Sequence, residues 1–268
     1  MIKNINFSYK IDSEPKERIK LIEDTGFDGV FLYSQYNPRE YIDLLSKSKL
    51  HIETLHLPYK EIEGGVSIDP KYVNVLWSES ERSDKYINWI IEEIYFAQNY
   101  GIKNVVAHIT GGNNPPQMNE VGLNNILRIL NVCEALDINF CMENTRRTDY
   151  IQYVFDNLKS DNLKFCFDSG HANAFTQNLE TFPWHLMGNK LQCVHLHDND
   201  GISDQHLQPF AGNINWDKLI NIIYKYSPEI QLTLEVRCSI EQKSMFTERE
   251  YLELCYNSLT NIENLILK

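Results

Sequence analysis

Histidines and carboxylates stand at the ends of several short β-forming runs along this chain. Six of these runs end in side chains that can bind a metal ion, namely His56, His108, Glu143, Asp168, His195 and Glu235. His171 lies three residues after Asp168, and Asp204 and His206 follow the run that carries His195. Neutral imidazole and ionised carboxylate are ligands that divalent ions such as Zn²⁺ and Mn²⁺ bind in proteins. The pattern therefore predicts a metal centre built from several strand ends.

The elements that would position these side chains alternate between strand-like and helix-like patterns. The strands are predicted at roughly Lys3–Phe7, Gly29–Tyr33, Ile52–His56, Asn104–Ile109, Ile138–Glu143, Lys164–Asp168, Gln192–His197 and Gln231–Val236. Helical patterns lie between them: one begins at Pro15, one spans Ser83–Tyr100 and is followed by Gly101, and the last begins near Thr247. Eight strands and eight helices in strict alternation predict parallel strands with right-handed crossovers.

The number eight favours a closed barrel over an open sheet. Chains of about 250 residues commonly form one (β/α)8 domain, and this chain has 268. The first predicted strand is followed by SYKIDSEPK and not by the G-x-G-x-x-G of a dinucleotide-binding fold. We therefore predict a single (β/α)8 TIM barrel over residues 1–268, with its active site where the strands end.

Strand periodicity gives an internal check on the metal centre. Side chains two residues apart on a strand face the same side. The residues two positions before the six candidates are Thr54, Val106, Cys141, Cys166, Cys193 and Thr233, which are small or β-branched and uncharged. We expect them to form a layer inside the barrel, about 6.6 Å below the ligands, with its three cysteines too far away to bind the same ion.

Other histidines have simpler interpretations. A single histidine at a strand end is more often a hydrogen-bonded structural residue, and Asp168 alone could cap the helix that follows it. His51 begins its strand on the far side of the barrel and His185 lies in a helical segment, so both are interpreted as structural. His197 shares the periodicity of His195 and is expected either to line the substrate pocket or to pack against the loop above it.

Composition restricts the class of protein. Hydrophobic residues make up 43% of the chain and charged residues 23%, which is typical of globular proteins. No apolar run approaches the length of a membrane span, and MIKNINFSYK does not resemble a signal peptide. The six cysteines contain no CxxC motif, so we expect reduced thiols and a cytoplasmic location. A formal charge of −12 makes nucleic acid an unlikely partner.

Two segments, FDSGHAN and VHLHDNDGISDQHL, resemble motifs of the xylose isomerase-like barrel superfamily. This superfamily includes sugar isomerases, ketose epimerases and endonuclease IV, and the resemblance spans nearly the whole chain. It implies that one divalent ion, Mn, Zn, Mg or Co, is held by Glu143, Asp168, His195 and Glu235. Five further residues match the additional ligands with which endonuclease IV holds three zinc ions: His56, His108, His171, Asp204 and His206.

One loop departs from the superfamily pattern. After His206 an Ile-Gly-x-Gly turn is expected, but this chain has Leu207-Gln-Pro-Phe-Ala-Gly212. The loop must take another path, which leaves open whether Asp204 and His206 reach the site.

The favoured hypothesis is a metal-dependent isomerase or epimerase of a sugar or sugar phosphate. The ion would stabilise an enediolate, Glu143 and Glu235 would transfer the proton on carbon, and His171 would bind the substrate. Arg146 and Arg237 are interpreted as solvated surface residues, with phosphate binding as the alternative. Tyr59 matches a tyrosine that endonuclease IV uses near DNA and would equally suit a sugar site.

Two other hypotheses remain open at this point. One is an endonuclease IV-like phosphodiesterase that cleaves abasic DNA, and the other is a metal-bearing barrel that binds a sugar without converting it. The sequence does not identify the sugar, the number of ions or whether the chain forms a homo-oligomer.

Overall fold

Eight parallel strands form one sheet in a computed structural model that describes residues 1–9, 13–63, 66–176, 179 and 181–266. These eight strands and a separate two-stranded hairpin, β4 and β5, are in chain order β1 (Lys3–Asn6), β2 (Gly29–Tyr33), β3 (His51–His56), β4 (Glu61–Glu63), β5 (Val66–Asp69), β6 (Asn104–Ala107), β7 (Asn139–Glu143), β8 (Leu163–Asp168), β9 (Leu191–His195) and β10 (Leu232–Leu234). Each of the eight predicted strands coincides with a parallel strand to within a few residues. The sheet has the order β10-β1-β2-β3-β6-β7-β8-β9.

The two ends of this order meet through Leu196. Its amide donates a hydrogen bond to the carbonyl of Thr233 at 2.8 Å, and its carbonyl accepts one from the amide of Glu235 at 3.1 Å. This bridge brings β9 against β10, so the sheet forms a barrel. The predicted (β/α)8 fold is confirmed.

Helices cover the outside of the barrel. They are α1 (Pro15–Thr25), α2 (Ile42–Leu45), α3 (Glu81–Asn99), α4 (Glu120–Ala135), α5 (Thr148–Asn157), α6 (Ser169–His171), α7 (Trp184–Met187), α8 (Trp216–Tyr226), α9 (Ile240–Met245) and α10 (Glu248–Ile266). Pro15 occupies the first turn of α1, and the side chains of Ser80 and Asn119 cap α3 and α4. No helix in the described residues is long and apolar enough to span a membrane.

A helix lies in each connection between successive barrel strands, as the predicted alternation requires, but three connections depart from a single regular helix. Only short 3-10 turns and the four-residue α2 join β2 to β3. An antiparallel hairpin, β4 and β5, stands between β3 and α3. After β8 the chain turns at once through α6 and a π-helical turn, Ala172–Thr176. This turn places His171 beside Asp168 at the barrel mouth.

A small apolar cluster fills the barrel beneath this mouth. Val106, Cys141, Cys166 and Cys193 are buried together, apart from the larger core between the sheet and the helices. All six cysteines of the chain are buried and free. The predicted inner layer is therefore present, with thiols that form no disulfide.

The predicted depth of this layer is wrong for Cys166. Its sulfur lies within 4.8 Å of a ligand atom of Glu143 and of His195. The strands of the barrel are staggered, so that Cys166 of β8 pairs in register with Glu143 of β7. A spacing counted along a single strand does not include this stagger.

Candidate metal centre

Four of the predicted ligands converge at the mouth of the barrel. Glu143, Asp168 and His195 end β7, β8 and β9, and Glu235 directly follows β10. All four are buried, and one ligand atom from each lies within 4.8 Å of those of the others. Nδ1 of His195 is 2.9 Å from Oε1 of Glu143 and 3.1 Å from Oε2 of Glu235. The two glutamates therefore approach one imidazole nitrogen from two sides.

His56 and His108 lie on the other side of Glu143. Their Nε2 atoms are 3.0 Å and 2.8 Å from its Oε2 atom. These three residues also form a group whose ligand atoms are close enough to hold an ion. The Glu143 carboxylate thus lies between His195 on one side and the pair His56 and His108 on the other.

The remaining predicted ligands, Asp204, His206 and His171, reach the same mouth. Oδ2 of Asp204 is 3.1 Å from Nε2 of His206 and 3.6 Å from Nε2 of His171. The amino acids after His206 differ from the superfamily pattern, and the sequence left open whether Asp204 and His206 reach the site. Both residues lie at the mouth.

Asp198 explains how the divergent loop reaches this position. Its backbone pairs with Leu207 in a short antiparallel bridge, with hydrogen bonds of 2.7 Å and 3.0 Å. Its carboxylate accepts hydrogen bonds from the amides of Phe210 and Ile214 and from the indole of Trp216. This buried carboxylate, which the sequence analysis did not select, holds the loop over the mouth.

The hydrogen bonds of three histidines fix the direction of their free ring nitrogen. Nδ1 of His56, His171 and His206 lies 2.8–3.0 Å from a backbone carbonyl, which can only accept a hydrogen bond. Nδ1 must therefore carry the proton, and Nε2 has either a lone pair or a second proton. Each Nε2 points at a carboxylate. An imidazole lone pair and a carboxylate that face each other can both bind a cation that lies between them.

The electrostatics of the site also favour a bound cation. Burial raises the pKa of Glu143 and of Glu235, but the nearby imidazoles, His195 above all, outweigh burial and keep both pKa values well below the usual range. Burial lowers the pKa of His195, but the two glutamates raise it well above its usual value. Buried carboxylates need compensating positive charge, from protonated histidines or from a metal ion. The donor set of carboxylate and imidazole suits a divalent cation.

His197 supports Asp168 and does not line a pocket. The side chain is fully buried, and Nε2 lies 3.0 Å from both carboxylate oxygens of Asp168. The hydroxyl of Ser169 donates to the carbonyl of His197 at 2.7 Å and accepts from its amide at 2.9 Å. A Cβ atom on Gly170 would lie 1.9 Å from Cε1 of His197. The segments FDSGH and HLH therefore interlock, and the glycine leaves room for the ring.

The ends of β1 and β2, which carry no predicted ligand, also support the site. The hydroxyl of Tyr33 donates a short hydrogen bond to Oε1 of Glu235. The side chain of Asn6 pairs with the amide and carbonyl of Val236, both at 2.9 Å. Both residues stand at the C-terminal ends of their strands, and that position was the available signal. Neither residue was predicted, because phenol and amide side chains are not among the usual ligands of divalent metal ions.

Comparison with known proteins places this geometry in a family. Residues 19–254 match the family model described as xylose isomerase-like TIM barrel. The chain belongs to this family. An uncharacterised protein of Methanocaldococcus jannaschii is 24% identical over 97% of this chain and 79% of its own length.

Solved structures share the fold at low sequence identity. A D-psicose 3-epimerase from Clostridium cellulolyticum H10, solved with D-tagatose, superposes with a TM-score of 0.73, 12% identity and 99% coverage of both chains. An IOLI protein with a bound zinc atom gives a TM-score of 0.74, 14% identity and 98% coverage of both chains.

Proposed function

We propose that this protein is a divalent-metal-dependent sugar isomerase or epimerase that moves a proton on the carbon beside a carbonyl. The observation that carries the proposal is the placement of Glu143 and Glu235, two buried carboxylates with depressed pKa values on either side of Nδ1 of His195. Carboxylates that are ionised near neutral pH can accept a proton from carbon. The likeness in fold to a D-psicose 3-epimerase agrees with this class of reaction.

Glu143, Asp168, His195 and Glu235 would hold the ion. When bound, a divalent cation polarises a carbonyl and an adjacent hydroxyl and so makes the neighbouring C–H more acidic. The protein side chains do the rest. One carboxylate oxygen of each glutamate lies beside His195. The other oxygen of Glu235 accepts a hydrogen bond from Tyr33, and the other oxygen of Glu143 contacts two imidazoles, those of His56 and His108. Each carboxylate is thus fixed in orientation for taking or returning the proton.

The wall of the mouth above β2 and β3 suits a polyol. The ring of Tyr59 lies 4.4 Å from that of His108 and 5.5 Å from that of His56, and Tyr36 packs against Tyr33 at 5.3 Å. Aromatic faces contact the C–H faces of a sugar while imidazole and phenol groups hydrogen-bond its hydroxyls. His171, whose Nδ1 is fixed by the Asn144 carbonyl, would bind a substrate hydroxyl.

Solvent deuterium exchange tests this proposal. The protein, supplied in turn with Mn²⁺, Zn²⁺, Mg²⁺ or Co²⁺, is incubated in D₂O with a panel of ketoses, aldoses and their phosphates. We expect metal-dependent incorporation of deuterium beside the carbonyl of at least one sugar, detected by NMR. Absence of exchange across the whole panel would refute the proposal.

Cleavage of abasic DNA is the second candidate. It is favoured by one observation, the presence at the mouth of all nine residues that match the endonuclease IV ligands. The formal charge of −12 opposes it, because binding to DNA depends on cations that neutralise phosphates. Efficient metal-dependent nicking of an abasic duplex at physiological salt, without sugar exchange, would establish this candidate instead.

A further inference from the structure

Arg237 places a positive charge at the edge of the candidate metal centre. It follows Glu235 by two residues, and its amide donates a hydrogen bond of 2.9 Å to the carbonyl of His206. The side chain is half-buried. A residue bonded to His206 and two positions from Glu235 lies at the edge of the mouth. Burial raises the pKa of the nearby phenols of Tyr33 and Tyr59, and the positive charge of Arg237 opposes that rise. The interpretation of Arg237 as a solvated surface residue is therefore wrong.

The guanidinium of Arg237 has no partner of its own. Within the residues that the structure describes, it makes no hydrogen bond or ion pair. Burial lowers the pKa of Arg237, but Tyr33, Glu235 and Asp204 together raise it above its usual value, although none of them forms a hydrogen bond or ion pair with the guanidinium. A guanidinium offers five N–H donors in a fixed plane, and a half-buried one normally uses several of them.

Other arginines of the chain show the usual behaviour. Arg39 binds Glu93 at 3.0 Å, and Arg18, also largely buried, donates hydrogen bonds to Ser13 and to the Phe7 carbonyl. These arginines hold parts of the fold together. Arg237 differs because its donors stay unused at the entrance to the candidate active site.

A second cation lies on the same side of the mouth. The ammonium group of Lys60 is 5.4 Å from the ring centre of Tyr59 and 5.9 Å from that of Tyr36. The substrate would therefore extend from the carboxylates of Glu143 and Glu235 along the tyrosine wall toward positive charge. Two positive charges, those of Arg237 and Lys60, thus border the tyrosine wall, where an anionic group of a substrate bound at the mouth would meet them.

We propose that Arg237 binds an anionic group of the substrate, a phosphate or a carboxylate, so that this protein acts on anionic sugars in preference to neutral ones. The inference rests on the proposed isomerase or epimerase function, whose substrate class it specifies. Guanidinium binds both anions through paired N–H···O bonds, which are stronger than hydrogen bonds to neutral hydroxyls. The D-psicose 3-epimerase of similar fold was solved with the neutral sugar D-tagatose, so the two proteins would differ in substrate charge.

Equilibrium binding tests the role of Arg237 separately from turnover. The metal-loaded full-length protein is titrated calorimetrically with three ligands: a ketopentose, its 5-phosphate and a sugar acid of similar length. We expect the wild type to bind one of the two anions at least about tenfold more tightly than the neutral ketopentose. The anion that is preferred distinguishes phosphate from carboxylate.

Two substitutions at one position sharpen the test. Arg237→Gln should lower the affinity for the anion by about tenfold or more and leave that for the neutral sugar within about twofold. Arg237→Lys should recover part of the loss, because it keeps the charge without the paired geometry. Far-ultraviolet circular dichroism and thermal melting would verify that both variants fold. Arg128→Gln is the comparison variant, since Arg128 is exposed on α4, where it binds Asp84 at 2.9 Å. It should bind like the wild type.

Three outcomes would overturn the inference: equal affinity for neutral and anionic ligands, an anion preference that survives in Arg237→Gln, or an equal loss of anion affinity in Arg128→Gln. Failure of every sugar to exchange deuterium would instead refute the proposed function, while the binding measurement would still decide the role of Arg237.

Discussion

The two ends of the barrel are both polar inside, but they differ in how their charges are compensated. From the layer beneath the ligands to the end opposite the mouth, the amide of Asn4 donates to Gln231 at 2.9 Å and to Thr233 at 3.2 Å, and His51 contacts Gln231 at 3.0 Å. The hydroxyl of Thr233 donates to Glu53 at 2.7 Å. Apart from Glu53, this network consists of amides, a hydroxyl and one imidazole.

At the mouth, carboxylates and imidazoles face one another instead. Glu143 alone contacts His56, His108 and His195 at 2.8–3.0 Å. Buried polarity by itself therefore does not identify a functional site, because neutral groups can satisfy one another. A concentration of ionisable groups that calls for an added cation does identify one.

The largest expected effect concerns the mouth. Glu143→Gln keeps the size of the side chain but removes the carboxylate that can accept a proton. We expect sugar deuterium exchange to fall by on the order of 10³-fold or more, since general base catalysis contributes about 10²–10⁴-fold and the metal site is weakened as well. Glu134→Gln, on the exposed side of α4, is the matched control and should retain full activity. Similar activity in both variants would remove Glu143 from the mechanism.

The second-largest effect is expected at Glu53, in the polar network below the mouth. Burial raises the pKa of Glu53 to about 8 from its usual 4.5. The folded state thus binds a proton that the unfolded state has released near neutral pH. The stability this group contributes is present below about pH 4.5 and is lost as the pH rises toward 8. We expect Glu53→Gln to raise the free energy of unfolding at pH 7 by about 3 kcal/mol, because it no longer needs the proton.

Urea unfolding at several pH values measures this effect. The gain from Glu53→Gln over the wild type should shrink steadily as the pH is lowered toward 4.5. A gain that does not change with pH, or a loss of stability at pH 7, would show that Glu53 is ionised in the folded protein.

His197 should affect the metal through Asp168. Removing a hydrogen-bond partner of a metal ligand typically weakens metal binding by about 10–100-fold. We expect this loss in His197→Ala and partial recovery in His197→Gln, whose amide nitrogen can take the place of Nε2. Titration with Mn²⁺ monitored by electron paramagnetic resonance gives the affinities, and the exposed His185→Gln serves as the control. Unchanged affinity in His197→Ala would limit His197 to packing against Gly170.

The smallest effect is expected at Cys166, although its sulfur lies near Glu143 and His195. Burial raises the pKa of this thiol well above its usual value, so it stays protonated and is a poor ligand. Cys166→Ala should change the affinity for Mn²⁺ or Zn²⁺ by less than about threefold. A much larger loss, greater for Zn²⁺, would make Cys166 a ligand.

The sequence predicts the strands and the inward side chains well, because both depend on local periodicity. Glu143, Asp168, His195 and Glu235 all follow from strand ends and their spacing. The remaining features of the site depend on the register and spacing between different strands, which local periodicity does not encode. Glu53 is bulged opposite Val30 and Phe31, and Tyr33 of β2 reaches Glu235 past the intervening strand β1. Likewise, only the stagger of β7 and β8 brings Cys166 level with Glu143.

Metal content tests the central claim most directly. The protein is loaded with Mn²⁺ or Zn²⁺, dialysed and analysed for bound metal, alongside Glu235→Gln and the exposed control Glu134→Gln. We predict about one ion per chain in the wild type and the control, and a substantial loss in Glu235→Gln, because His195 and the three carboxylates around it share one ion. A wild-type protein that retains no ion after loading, or that retains it equally in Glu235→Gln, would contradict the account.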